Sequence, residues 1–193
     1  DAVITFLEDT ERNSPPLFNI AQSTSLLDLA PRDLLQFELK QWILDDLSAD
    51  ITGPIAFQES RVFPGSVSPS APRETVEVEI DGAYNTDPNF LLNESDSVAR
   101  PTGRYLAPGE IARVTVPESV TDLGWEVQVG AHSVDLERSY YDWNRFPRIS
   151  RTFALDSPSV EVDNPLGGAL YVYIPDGSNA GETLIGIAGT VEM

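Results

Sequence analysis

One histidine, His132, and no cysteine stand among the 193 residues. Those two counts remove most metal and nucleophile chemistry. A catalytic zinc site takes two or three histidines with a carboxylate, and structural sites commonly add thiolates. His132 has no second histidine to join it, and the chain holds no H-E-x-x-H. A serine nucleophile would need His132 as its base. That residue lies in Gly130-Ala131-His132-Ser133, and no G-x-S-x-G elbow occurs, so it reads as a structural histidine. The 31 acidic residues outnumber the 12 basic ones. At that density carboxylates fall side by side by chance, and no acid–base pair stands out. The Asp/Asn ladder of an EF-hand, G-x-G-x-x-G and a phosphate loop are all missing. The residues predict no catalytic group, no metal ligand and no cofactor in this chain.

Recognition chemistry is better represented. Ser139-Tyr140-Tyr141-Asp142-Trp143-Asn144-Arg145-Phe146-Pro147-Arg148 reads as a loop between strands and gathers aromatic rings, arginines and amide or carboxylate groups. Aromatic faces stack on the CH faces of sugar rings, and planar polar groups take paired hydroxyls. Tyr140, Tyr141, Trp143 and Arg145 are the candidates for contact with a ligand or a neighbouring domain. Arg138, Arg145, Arg148 and Arg151 form the densest positive patch in a chain of net charge −19. An acidic sugar or acidic protein surface would be drawn there. The bland alternative is a loop that folds back, buries Trp143 and Phe146, and pairs its arginines with Asp135, Glu137 and Asp142. Asn93-Glu94-Ser95 is a formal glycosylation sequon.

The elements that must position this loop fall into two parts. Residues 1–25 read as mixed, with a short apolar start (Ala2, Val3, Ile4, Phe6, Leu7) and a break at Pro15-Pro16. A helix is predicted over 31–47, with Pro31 at its first position and Asp33 in its first turn. Leu35, Leu39, Ile43 and Leu47 make an i, i+4 stripe, widened by Leu34, Phe37, Trp42 and Leu44. Such a stripe packs on the rest of the chain or docks on a partner domain. Residues 53–73 are rich in Pro and Gly and read as a linker. Beyond them the apolar period changes from 3.6 to 2. Val76, Val78 and Ile80 alternate with acids, as do Ala112, Val114 and Val116, then Trp125, Val127 and Val129, with polar residues; Val160 and Val162 flank Glu161. Leu170–Ile174 is continuously apolar and predicts a central strand; Leu184–Val191 predicts the last one. About seven short strands with turn signals between them predict a mainly β fold. It is an antiparallel, jelly-roll-like β-sandwich with an amino-terminal helical segment. The division is 1–72 for the helix and Pro-rich linker and 73–193 for the sandwich.

The charge balance excludes partners too. A surface this negative repels phosphate backbones and anionic membranes, so no nucleic acid is expected. No apolar run reaches the roughly 20 residues of a membrane span. The chain does not open on a basic stretch followed by an apolar one, so any export signal is expected outside it.

Five segments, in order, carry a resemblance. They are Thr102-Gly103-Arg104-Tyr105-Leu106-Ala107-Pro108-Gly109-Glu110, Val114-Thr115-Val116-Pro117, Val127-Gln128-Val129-Gly130-Ala131-His132, Trp143-Asn144-Arg145-Phe146-Pro147, and Asn164-Pro165-Leu166-Gly167-Gly168-Ala169-Leu170-Tyr171-Val172. The first resembles the "TG-x-Y-x-x-PG" signature of the enhancin-like, mucin-degrading zinc metallopeptidases, and the order is similar to their amino-terminal β region. The resemblance spans roughly residues 73–193; residues 1–70 match nothing in it. It implies a gluzincin-type catalytic domain with H-E-x-x-H elsewhere in the parent protein, acting on glycoproteins. Zinc is expected there and not in this chain, and His132 corresponds to no zinc ligand. It further implies a secreted or cell-surface bacterial protein. The chain would be a non-catalytic accessory domain that supports or targets the catalytic domain, with glycans as further partners. The alternative is a carbohydrate-binding or adhesin-type β-sandwich unrelated to a protease.

Overall fold

The computed structural model describes residues 2–45, 53, 55–85, 96–131 and 141–193. In chain order its elements begin with α1 (Ala2–Asn13), β1 (Thr24–Ser25), α2 (Pro31–Asp45), β2 (Glu74–Tyr84), β3 (Ser97–Leu106) and β4 (Ile111–Thr115). They continue with β5 (Glu126–Val129), β6 (Asp142–Trp143), β7 (Arg151–Ala154), β8 (Ser159–Asp163), β9 (Gly168–Pro175) and β10 (Ser178–Glu192).

The predicted antiparallel sandwich is present. One layer runs β2-β10-β4-β8 and the other β3-β9-β5-β7. Strand β10 belongs to both. In its middle, Ile187 pairs with Val76 of β2 on one side and Val114 of β4 on the other. A register shift at 188–190 follows, where Gly189 takes a φ of 88° that a side chain would strain. Beyond it Val191 pairs with Tyr105 of β3. The ends of the strand path, β7 and β8, approach one another, so the sandwich nearly closes into a barrel.

Period-2 patterning explains the interior. Val114, Val127, Val162, Val172, Ile174, Ile185 and Ile187 point inward and are fully buried, with Leu106, Leu170 and Trp125. Each such side chain stabilises the fold by ~1.5–3 kcal/mol through loss of water contact. Strand β9 is central as predicted, flanked by β3 and β5. Trp125 donates its indole N–H to Ser178 Oγ at 3.2 Å, and that hydroxyl donates to the Gly82 carbonyl at 2.9 Å. A Cβ at Gly82 would stand 2.6 Å from the Trp125 ring, so glycine is required for the indole to fit.

Four expectations need correction. Residues 2–13, read as mixed, form α1, with Leu7 and Thr10 buried. Strands β3 and β7 were not predicted: β3 contains Pro101 and Gly103 and is interrupted by a register shift between Pro101 and Tyr105. Helix α2 is present through Asp45, but its buried face is Gln36, Phe37, Lys40, Gln41, Ile43 and Leu44. Leu35, placed on the apolar stripe, is 49% exposed; Leu34 and Trp42 are exposed too, and Leu47 lies outside the described residues. The face is turned because Lys40 is buried between two carboxylates, an arrangement no periodicity of apolar residues can announce. Part of the stretch expected to be a linker is built into this layer: Ile55 and Phe57 join Leu7, Phe18, Phe37, Ile43 and Leu44 in a second cluster. That cluster also takes Phe146, Ile149 and Leu166 from the β region. The helix therefore packs on the rest of the chain.

Candidate interaction site

The aromatic and arginine-rich segment lies at the seam of the two clusters. Tyr140 and His132 lie outside the described residues, as do Arg138 and Asn93-Glu94-Ser95. From Tyr141 onward the segment is stitched down. Strand β6 pairs antiparallel with β1, Trp143 opposite Thr24 and Asp142 opposite Ser25. The Leu26 N–H donates to the Tyr141 carbonyl at 2.8 Å. Phe146 is the anchor. Its ring meets Phe18 edge-on at 4.9 Å, stacks on Phe37 at 5.8 Å and lies 6.2 Å from Phe57. Aromatic pairs in this geometry add ~0.5–1.5 kcal/mol beyond burial. Trp143 is half-buried against the same cluster.

The three described arginines, Arg145, Arg148 and Arg151, do not make a free positive patch. Arg145 folds back: its Nη1 donates to the Phe146 carbonyl at 2.7 Å and the Pro147 carbonyl at 3.2 Å, and its guanidinium lies 5.7 Å over the Phe63 ring. Burial pushes its pKa below the usual arginine value. Arg148 pairs with Asp45 at 2.5 Å, and Arg151 is buried against Asp163 and over Phe153. Phe146 is buried, as in the folded-back reading, and Arg148 and Arg151 pair with Asp45 and Asp163; Asp135 and Glu137 lie outside the described residues. Of the described contact candidates, Tyr141 is the most open, 50% exposed, while Trp143 and Arg145 are half-buried.

Tyr141 opens onto a groove that the sequence patterns did not single out. Leu26, Leu27, Leu29, Leu34, Phe37, Glu38 and Tyr141 line a depression of about 470 Å³. Leu27 is 72% exposed at its edge. The short 3₁₀ turn Leu26–Asp28, its C-cap Leu29 and the first turns of α2 supply the leucines. By contrast, the cavity beneath Arg145, Phe63 and Glu59 holds about 10 Å³, no more than one water.

The segments carrying the resemblance converge on one junction beside this seam. Asn164, fully buried, donates from its amide to the carbonyls of Val129 and Ile149 at 2.9 and 3.1 Å and accepts the Leu166 N–H at 2.9 Å. Its backbone carbonyl accepts the N–H groups of Gly109 and Gly167 at 3.1 and 2.8 Å. Gly168 lies against Gly130 so closely that a Cβ would strike the Gly130 backbone. Thr102 Oγ1 donates to the Leu170 carbonyl at 2.9 Å and accepts the Arg104 N–H at 3.2 Å, bracing the interruption in β3. Asn164, Gly109, Gly130, Gly167, Gly168 and Thr102 are thus occupied within the chain and fix the joint between sandwich and helical layer.

A family model described as the N-terminal domain of M60-like peptidases matches residues 69–187. The TRPM8 channel-associated factor homolog of Xenopus laevis is 36% identical over 107 residues, 55% of this chain and 11% of that protein. Human TRPM8 channel-associated factor 2 is 34% identical over 90 residues, 47% of this chain and 10% of that protein. The chain therefore spans about a tenth of the length of these relatives. The IMPa metallopeptidase from Pseudomonas aeruginosa is similar at 15% identity, over 100% of this chain and 23% of that one, with a TM-score of 0.49. With more than half of its residues inside the matched model, this chain belongs to the family of N-terminal domains of M60-like peptidases.

Proposed function

We propose that this chain is a non-catalytic accessory domain that supports or targets the peptidase part of a secreted or cell-surface, glycoprotein-degrading zinc metallopeptidase. The observation that carries the reading is the family match over residues 69–187. One other supports it: the motif residues around Asn164 lock a structural joint, as described above. No helix among the described residues is long and apolar enough to cross a membrane. Zinc belongs, in this reading, to a catalytic domain elsewhere in the parent protein. Tyr140, Tyr141, Trp143 and Arg145 remain the contact candidates for that domain or for glycans.

The test uses the chain and its parent together. The purified chain should hold no stoichiometric zinc after dialysis and cleave neither casein nor mucin. The parent lacking residues 1–193 should keep its zinc but lose rate or thermal stability on glycoprotein substrates. Chelator-sensitive cleavage by the chain alone overturns the proposal. The relatives named for association with a channel favour a second reading, a protein-contact module whose parent need not cleave anything. A functional H-E-x-x-H in the parent chooses the first; its absence chooses the second or the adhesin-type alternative.

A further inference from the structure

We infer that the leucine-lined groove beside Tyr141 is the docking site for the peptidase part of the same parent protein, through an apolar segment flanked by Lys or Arg. This rests on the accessory reading and adds a surface and a chemistry to it. The floor is apolar and open: Leu26, Leu27, Leu29, Leu34 and Phe37 line it, and Leu27 and Leu34 are exposed. Its volume, about 470 Å³, suits a few large side chains. The one charged group in its rim is the acidic Glu38. Between Thr24 and Lys40 stand Asp28, Asp33 and Glu38 against the single Arg32, and Asp142 adjoins Tyr141. No ion pair engages Asp28, Asp33, Glu38 or Asp142 among the described residues. Among the described residues, the cations Lys40, Arg148 and Arg151 are held by carboxylates of the chain itself.

Charge selects the occupant. A second copy of a −19 chain would bring acid rim against acid rim, a like-charge contact that opposes association. An anionic membrane is repelled for the same reason. A sugar would find leucine side chains where it needs planar hydrogen-bonding groups. A basic-flanked apolar segment satisfies both floor and rim. Relatives about nine times longer than the matched region leave ample protein to supply it.

The experiment places a photo-crosslinking residue at Leu27 of the full-length parent, with a control at Leu184, which is 56% exposed on β10. Crosslinked peptides are identified by mass spectrometry. The expected product joins Leu27 within one molecule to an apolar peptide containing Lys or Arg outside residues 1–193, and Leu34→Asp or Glu38→Lys reduces its yield at least several-fold. Crosslinks from the Leu184 position but not the Leu27 position overturn the groove and leave the accessory reading standing. A product between two molecules at Leu27 identifies a second copy and also overturns it. No crosslink to the peptidase part from either position overturns both.

Discussion

Lys40 sits at the centre of an aromatic cluster with its charge fully matched. Its ammonium donates to the two Glu59 oxygens at 3.1 and 2.9 Å, pairs with Glu11, and lies 4.9 Å from the centre of the Phe57 ring. Burying charges costs more than their attraction returns unless further hydrogen bonds complete the shell. Here they do: Glu59 also accepts the Leu17 N–H at 2.8 Å and Glu11 the Gln58 N–H at 2.6 Å. Replacing Lys40→Met leaves two buried carboxylates without their cation. Urea unfolding should then show a loss of about 3–5 kcal/mol, largely recovered when Glu11→Gln and Glu59→Gln are added. A single variant as stable as the wild type contradicts this account of the cluster. Tyr105 makes a second prediction at this scale. Its hydroxyl donates to the Gly65 carbonyl at 2.8 Å, and burial raises its pKa above the usual 10.0. The folded chain therefore holds this proton more tightly than the unfolded chain. The associated stability is complete below the ordinary tyrosine pKa and is lost as pH rises through the raised one. Spectrophotometric titration should show one late-ionising tyrosine that Tyr105→Phe removes, and the alkaline fall in stability should shrink in that variant.

At the scale of elements, α2 offers the sharpest contrast. Ile43 is fully buried and Leu35 is half exposed. Ile43→Asp buries an unpaired charge and should destabilise by several kcal/mol, while Leu35→Asp should shift a thermal melt by little. Equal effects would mean that the buried face has been assigned wrongly. The same helix shows what a sequence makes legible. Strands β2, β4, β5 and β8 were readable because one wet face and one dry face alternate with period 2, β9 because it is continuously apolar, and β10 as the last apolar stretch. Strand β3 was not, because Arg104 is buried inside it, donating to Thr190 Oγ1 at 3.2 Å and to Glu74 at 2.7 Å, while Pro101 and Gly103 break the alternation. Strand β7 hid for a similar reason, since Arg151 is buried against Asp163. In α2 the stripe rested on apolar residues alone, and the buried Lys40 turns the face away from it. The aromatic segment stood out by composition, yet its anchoring was invisible: the partners of Phe146 come from residues 18, 37 and 57. The groove escaped notice because Leu26-Leu27-Asp28-Leu29 is too short to show any period.

For the whole molecule, the two clusters are unequal in independence. Every buried residue of the sandwich core lies between Ile80 and Ile187, so the helical layer contributes none of them. The second cluster is shared, because Phe146, Ile149 and Leu166 find their cover in Leu7, Phe18, Phe37, Ile55 and Phe57. Backbone contacts cross the same joint: the Phe57 N–H donates to the Pro165 carbonyl at 2.9 Å. Arg148 reaches across it to Asp45. A chain beginning at Arg73 should therefore retain the strands and a β-type far-UV spectrum while exposing a contiguous apolar patch where the helices sat. Large exposed patches of this kind bind hydrophobic dyes and drive association. Uncovering three large side chains forfeits a few kcal/mol, which for a domain of this size lowers the melting temperature by roughly 10 °C. The measurements are circular dichroism, dye fluorescence and a thermal melt of the truncated and full chains side by side. Identical melts with no dye binding would make the helical layer a mere appendage. Loss of the β spectrum would instead make the joint at Asn164 inseparable from the sandwich, and the layer would then be part of the domain's folding unit.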